Sequence, residues 1–228
     1  MNVRPTAFTL IELLVVISII AILAALLIPA MGIVRTQGNQ TAALSNIRQV
    51  GAAAILYSNE HEMELPRRIQ TGDKWPVLLS GYLKDLRVYA APGDVKNFIT
   101  LAVDPLSNTA NNTSYIMNGY NDLGALDDPS VSVRINRLAN PSSTILFGTP
   151  KSGSNHFYMD FQDGDNRNVL NLQLYNGSSN YMFADGSARA ITEASYTKPY
   201  ATNNPAVSVA YGDWLWLADK DNAAVIKP

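Results

Sequence analysis

The chain has 228 residues, with 17 Lys and Arg against 19 Asp and Glu, for a formal charge of −2 at pH 7. So even a balance excludes the strong cationic field that gathers nucleic acid, and no nucleic-acid partner is expected. Cysteine is absent, which removes disulfide frameworks, thiolate metal sites and cysteine nucleophiles, while 47% apolar residues suffice for a core.

Between Phe8 and Val34 the only charged side chain is Glu12, and residues 13–28 read LLVVISIIAILAALLI, with Ser18 the only polar residue. Counted from Phe8, the apolar stretch to Ile28 is 21 residues. At ~1.5 Å per residue a helix of that length reaches roughly 31 Å, against a bilayer hydrocarbon thickness of ~30 Å. Three readings compete: a cleaved secretory signal ending at the small triplet Ala30-Met31-Gly32, a plain membrane anchor, or a helix built to leave the bilayer and pack against copies of itself. The run is longer than the ~7–15 residues of a signal h-region. A carboxylate inside a plain anchor costs up to ~3 kcal/mol on insertion scales and asks for a partner. Only the third reading gives Glu12 one.

The run Ala7-Phe8-Thr9-Leu10-Ile11-Glu12-Leu13-Leu14-Val15-Val16-Ile17 closely resembles the processing site of type IV prepilins and type II secretion pseudopilins. That resemblance implies cleavage between Ala7 and Phe8 by a prepilin peptidase, N-methylation of Phe8, and pairing of Glu12 with the Phe8 amine of a neighbouring protomer, each charge relieving the other's desolvation. The family's usual residue before the cut is Gly; here it is Ala7. Pro29 also falls where the family helix commonly carries a proline. The implied partners are the peptidase, other pilin or pseudopilin subunits in a homo- or hetero-filament, and an assembly ATPase acting through an inner-membrane platform. The implied location is the bacterial cytoplasmic membrane, single-pass, with the N-terminus cytoplasmic and the head periplasmic until assembly. A structural subunit of this kind is no enzyme and needs no cofactor of its own.

Beyond Pro29 a helical pattern continues, with Leu44, Ile47, Val50, Ala54 and Tyr57 on one face. The helix is expected from about Thr9 to about His61, with a break or bend near Pro29, Gly32 and Gly38. Gly51-Ala52-Ala53-Ala54 forms a small-residue patch suited to close approach by strands, and Leu65-Pro66 closes the segment. The organisation that follows is a leader over 1–7, a transmembrane helix over 8–28, an amphipathic extension over 29–65 and a β-rich head over 66–228. The fold class is α+β, a long helix packed on an antiparallel sheet.

The head is rich in Asn, Ser, Gly and Pro. A short helix is expected over 75–86, and strands over 143–148, 156–161, 169–175, 180–184, 187–192 and 207–211. Over 169–175, Leu170, Leu172 and Leu174 alternate with polar residues, the pattern of a strand with one wet face. Asp185-Gly186 reads as a two-residue type I′ hairpin turn. Asn46 to Gly51, Ser114-Tyr115 with Asn118, and Phe183-Ala184-Asp185-Gly186 resemble the landmarks of a pilin-like group named for a His, nine residues and Asp-Gly. In this chain Tyr175 occupies the His position, and Ala43 and Ala91 stand where relatives often have Cys.

Other candidates are weaker. Asp160, Asp163 and Asp165, with Asn166, offer oxygen ligands for calcium, but their spacing departs from the EF-hand loop and a solvated turn is the plainer reading. Asp219, Asp221 and Asn222 stand similarly. Trp214 and Trp216 share a face that either closes a core edge or binds a sugar. The latter makes a membrane-anchored periplasmic carbohydrate- or ligand-binding domain the rival reading. Asn111-Asn112-Thr113 and Asn176-Gly177-Ser178 fit the N-glycosylation pattern, and His61 and His156 lie too far apart in sequence for a paired metal motif.

Overall fold

The computed structural model describes residues 9–67, 72–94, 113–119, 132–138, 140–151, 154, 156–159, 169–196 and 225–226. It divides into two compact units, Met1–Gly38 and Asn39–Pro228. Helix α1 (Leu10–Glu60) contributes to both and runs unbroken through Pro29, Gly32 and Gly38. The expected break at Pro29 is therefore absent. A proline removes one ladder hydrogen bond, and the Leu, Ile and Ala on either side are strong enough helix formers to carry the helix past it.

In the second unit α1 buries Ala43, Ile47, Val50, Gly51, Ala53, Ala54 and Ser58. Most of these are small, so the sheet comes close to the helix axis. An added Cβ on Gly51 would lie 2.2 Å from Cε and 2.5 Å from Cγ of Met182. The helix ends where Glu62 and Met63 adopt left-handed φ values of 52° and 67°. The Met63 N–H reaches back to the Ser58 carbonyl at 2.7 Å. Leu65 then donates to Val133 at 2.9 Å, so the chain enters the head as an extended segment beside β2 (Ser132–Val133).

Five strands form the main sheet: β1 (Ile116–Asn118), β3 (Ile145–Gly148), β4 (Tyr158–Met159), β5 (Ser178–Phe183) and β6 (Ala188–Thr192), in the order β4-β1-β3-β5-β6. Neighbours run antiparallel except β1 and β4, which are parallel, so the sheet is mixed rather than antiparallel as expected. A second, two-stranded sheet pairs β2 with β7 (Val225–Ile226). The expected helix over 75–86 divides into α2 (Trp75–Leu79) and a 3₁₀ turn (Ser80–Tyr82), with a further 3₁₀ turn at Leu86–Tyr89. The expected strand over 207–211 lies outside the described residues.

Both faces of the main sheet are buried. Toward α1, Met117, Phe147 and Met182 meet Ile47, Val50 and Ala54, with Trp75, Tyr89 and Tyr115 closing the layer. The indole of Trp75 packs edge-on against Phe147 at 5.0 Å and Tyr89 at 5.5 Å, and donates its N–H to the Phe157 carbonyl at 2.9 Å. On the far face Ile116, Ile145, Tyr181, Phe183 and Ile191 form a second apolar layer with Leu170 and Leu172. Burial on both sides explains why β5 reads Tyr-Met-Phe continuously instead of alternating.

Residues 169–175 are not a strand; Leu170 makes an isolated bridge to Pro150. Backbone bonds from Lys151 to the Val169 carbonyl and from Asn171 to the Thr149 carbonyl flank that bridge, and side chains then end the pairing: the Ser179 hydroxyl donates to the Asn171 carbonyl, and Gln173 N–H donates to Asn171 Oδ1. Two tight turns then follow. Asn176 and Gly177 have φ of 50° and 85°, with Tyr175 and Ser178 exchanging backbone hydrogen bonds, so the type I′ turn lies here. At Asp185-Gly186 only Gly186 has positive φ, 89°. Its N–H donates to Phe183 at 3.1 Å while Phe183 N–H donates to Ser187 at 2.8 Å. This is the three-residue loop with a glycine bulge, not the expected two-residue turn. Asp185 Oδ1 fixes it by accepting from the Ser187 N–H at 2.9 Å.

Candidate functional site

The site begins at the first turn of α1. Thr9 precedes the helix and Glu12 is its third residue, the spacing of a capping box. The Glu12 carboxylate accepts from the Thr9 backbone N–H at 2.9 Å and from the Thr9 hydroxyl at 2.7 Å, and the Thr9 Oγ1 accepts from the Glu12 N–H at 3.3 Å. Two of the N–H groups that a helix start leaves unpaired are thereby satisfied, and a negative charge sits at the positive end of the helix dipole. The sequence carries this signal as Thr-x-x-Glu, and a reading centred on the charge of Glu12 passes over it.

From there the helix presents apolar side chains on every side. Leu10 is 88% exposed, Ile20 58% and Ile28 73%. Ser18 and Thr36 do not interrupt this surface with free hydroxyl donors, because each donates to the carbonyl four residues back, at 2.7 and 3.0 Å. This is the one helix among the described residues long and apolar enough to cross a membrane. A helical stretch apolar all round, with its Ser18 hydroxyl tied to its own backbone, suits hydrocarbon or the packed surface of similar helices.

The head landmarks hold α1 to the head and the strands to one another. Asn46 donates to the Ala90 carbonyl at 2.9 Å, the Tyr115 hydroxyl to the Ala43 carbonyl at 3.2 Å, and Asn118 to the Ile145 carbonyl at 2.9 Å. Tyr175, at the position of the expected imidazole, is buried and donates to the Pro92 carbonyl at 2.8 Å. Burial first, and the nearby Asp94 carboxylate second, hold its phenol above the ordinary range. Ala43, on α1, and Ala91 are both buried in the core that α1 shares with the head. The pair of Gln40 and Asn180, with Asn180 donating to the Gln40 carbonyl at 2.9 Å, is a further tie that the sequence did not single out.

Ala7 and Phe8 lie outside the described residues, as do Asp160, Asp163, Asp165, Asn166, Asn111, Asn112, Trp214, Trp216, Asp219, Asp221 and Asn222. Asn176 is exposed at its turn. Among the described residues there is no group of three or more His, Asp or Glu arranged to hold a metal ion.

Residues 4–28 match the prokaryotic N-terminal methylation motif. That match supports a prepilin-like protein, and it covers the capping box and the apolar helix together. No curated protein and no solved structure matches the chain.

Proposed function

We propose that this chain is a structural subunit of a type IV pilus-like or type II secretion pseudopilus filament. The observation that carries the reading is the methylation motif over 4–28, set on a helical stretch, residues 10–34, whose large apolar side chains are exposed. In this reading prepilin peptidase cuts between Ala7 and Phe8, Phe8 is N-methylated, and residues 8–28 hold the protein in the cytoplasmic membrane with the head periplasmic. An assembly ATPase working through a membrane platform then drives subunits into a filament.

The capping box defines what assembly does to Glu12. Before assembly the carboxylate is held by Thr9 of its own chain. In the filament the Phe8 amine of a neighbour approaches, and a full positive charge in a low-dielectric setting outcompetes a hydroxyl. Glu12→Gln keeps hydrogen-bonding capacity and loses the charge, so it is expected to insert normally and assemble poorly.

The deciding experiment is an intact mass and N-terminal peptide map of protein extracted from membranes of a host with a prepilin peptidase. A start at N-methylated Phe8 is expected. A chain retaining Met1 would indicate a static anchor, and a start at Ile33 a signal peptide; either overturns the reading.

A further inference from the structure

The sequence holds two Asn-Gly pairs, Asn118-Gly119 and Asn176-Gly177. An asparagine followed by glycine is chemically exposed, because the glycine carries no Cβ to keep its nitrogen away from the asparagine side-chain carbon. The fold treats the two pairs oppositely. Asn118 is buried and its amide donates to the Ile145 carbonyl at 2.9 Å, while the Gly119 N–H donates to the Met159 carbonyl at 3.0 Å. Electrophile and nucleophile are both held there. Asn176 is exposed at the tip of the turn that leads into β5. Among the described residues neither its carboxamide nor the Gly177 N–H has a partner. A Cβ built on Gly177 would meet nothing within 4 Å. What holds this tip is backbone: Tyr175 and Ser178 exchange bonds of 2.9 and 3.3 Å, and the Gly177 carbonyl accepts from the Glu193 N–H at 2.9 Å.

We propose that Asn176 is a site of spontaneous deamidation in the folded protein. The Gly177 nitrogen attacks Asn176 Cγ; the N–Cγ bond forms as that nitrogen gives its proton to water, and the Cγ–Nδ2 bond breaks with release of ammonia. Water then opens the resulting succinimide. Cleavage of the new N–Cγ bond gives aspartate, and cleavage of the original peptide bond gives isoaspartate, with the chain routed through the side chain. Ring closure requires rotation about the Asn176 Cα–C bond, out of the left-handed turn conformation, so the turn opens first. At a hairpin tip that opening disturbs only the bonds among Tyr175, Gly177, Ser178 and Glu193, and the ladder beyond stays formed. The same rotation at Asn118 would pull β1 away from β3 and β4. The two products act differently. Aspartate is accepted by a type I′ turn and adds only a charge. Isoaspartate adds a backbone atom to a two-residue loop, so the Tyr175–Ser178 pair is lost. The Ser178 hydroxyl accepts from the Gln40 side chain at 2.8 Å and donates to the Tyr175 carbonyl at 2.9 Å, so a tie between α1 and β5 goes with that pair. Modification therefore marks older copies of the protein by loosening α1 from the start of β5, and it stands independently of the filament reading.

The test is to hold the full-length protein in detergent at mildly alkaline pH, map its peptides by mass spectrometry, and label isoaspartate with an isoaspartyl methyltransferase. Amide loss at Asn176 is expected to exceed that at Asn118 at least about tenfold, the factor set by the two buried bonds that hold Asn118 and Gly119. In denaturant the two sites should lose amide at similar rates, which assigns the difference to the fold. Asn176→Gly preserves a sequence suited to the turn and should remove the isoaspartate label from it. Aged wild-type protein, unlike the aged variant, should show faster amide exchange at Tyr175 and Ser178. Equal amide loss at the two asparagines of the folded protein would overturn the proposal, as would retention of the Asn176 amide wherever the fold is intact. Unchanged exchange at Ser178 in the purified isoaspartate form would overturn the loosening of α1.

Discussion

Residues 10–34 and 43–58 of α1 share one backbone and meet different surroundings. In the first stretch Leu, Ile and Val point in every direction and are exposed; in the second, small residues and two branched ones are fully covered by the head. Helical structure itself does not distinguish them, since propensity and the Thr9–Glu12 cap support both. What differs is the angular distribution of apolar groups. A stripe is satisfied by one sheet, whereas an all-round apolar surface needs a second medium or many neighbours.

The largest expected effect separates the two stretches directly. Ile47→Ala should lower head stability by about 2–5 kcal/mol. Ile20→Ala should leave it unchanged. Denaturant unfolding of the full chain in detergent, followed by near-UV circular dichroism, reads both. Equal losses would break the comparison.

Next comes the close approach at Gly51. Gly51→Ala places a methyl group against the Met182 side chain and should destabilise the head by about 1–3 kcal/mol. With Met182→Ala also present, the double variant should lose less than the sum of the singles, because the truncated side chain vacates the space. Additivity would mean that the two residues do not meet.

Alkaline pH should act on the head alone. Burial pushes the phenols of Tyr89, Tyr115, Tyr175 and Tyr181 above their ordinary value of 10.0, with Asp94 adding to the effect at Tyr115 and Tyr175. A raised folded-state pKa contributes stability that is fully present below pH ~10 and lost as pH rises beyond it. Phenolate absorbance from these residues should therefore appear together with loss of the near-UV signal. Tyr82 is different: its hydroxyl donates to Glu60 at 2.6 Å, and that bond lifts it to about 12. Tyr82→Phe should delete a phenolate step near there without abolishing the cooperative transition.

The smallest effect lies at the helix start. Thr9→Val removes the hydroxyl from the capping box, so amide exchange at Leu10, Ile11 and Glu12 should quicken while exchange in β5 stays as it was. Faster exchange in both places would show that the two regions are coupled.

Much of this was legible from residue patterns. The bounds of α1 follow from its apolar period and from Leu65-Pro66, and β5 and β6 from the Asp-Gly punctuation between them. β1 escaped because three residues, Ile116–Asn118, are too few to show a period. Residues 169–175 misled because their leucines do alternate, yet their pairing with residues 149–151 stops after one bridge, where the Ser179 hydroxyl and the Asn171 side chain take up backbone groups. Asn176-Gly177 holds the stronger hairpin signal, and attention to its glycosylation pattern hid it. At the site, Glu12 stood out as a charge in an apolar run, while its intrachain partner Thr9 was plain only once the spacing was read as a cap.

The irregularity in β3 has a consequence for how this gene can change length. Ile145 pairs with Phe183 and Phe147 with Met182, so Leu146 is an extra residue opposite a single step of β5. Losing that codon would leave Ile145 and Phe147 on the sheet faces they already occupy, at the expense of one buried leucine. Gaining a codon between Phe147 and Gly148 would instead turn the rest of the strand over. Lineages carrying this head should therefore drift toward a shorter β3 far more readily than toward a longer one.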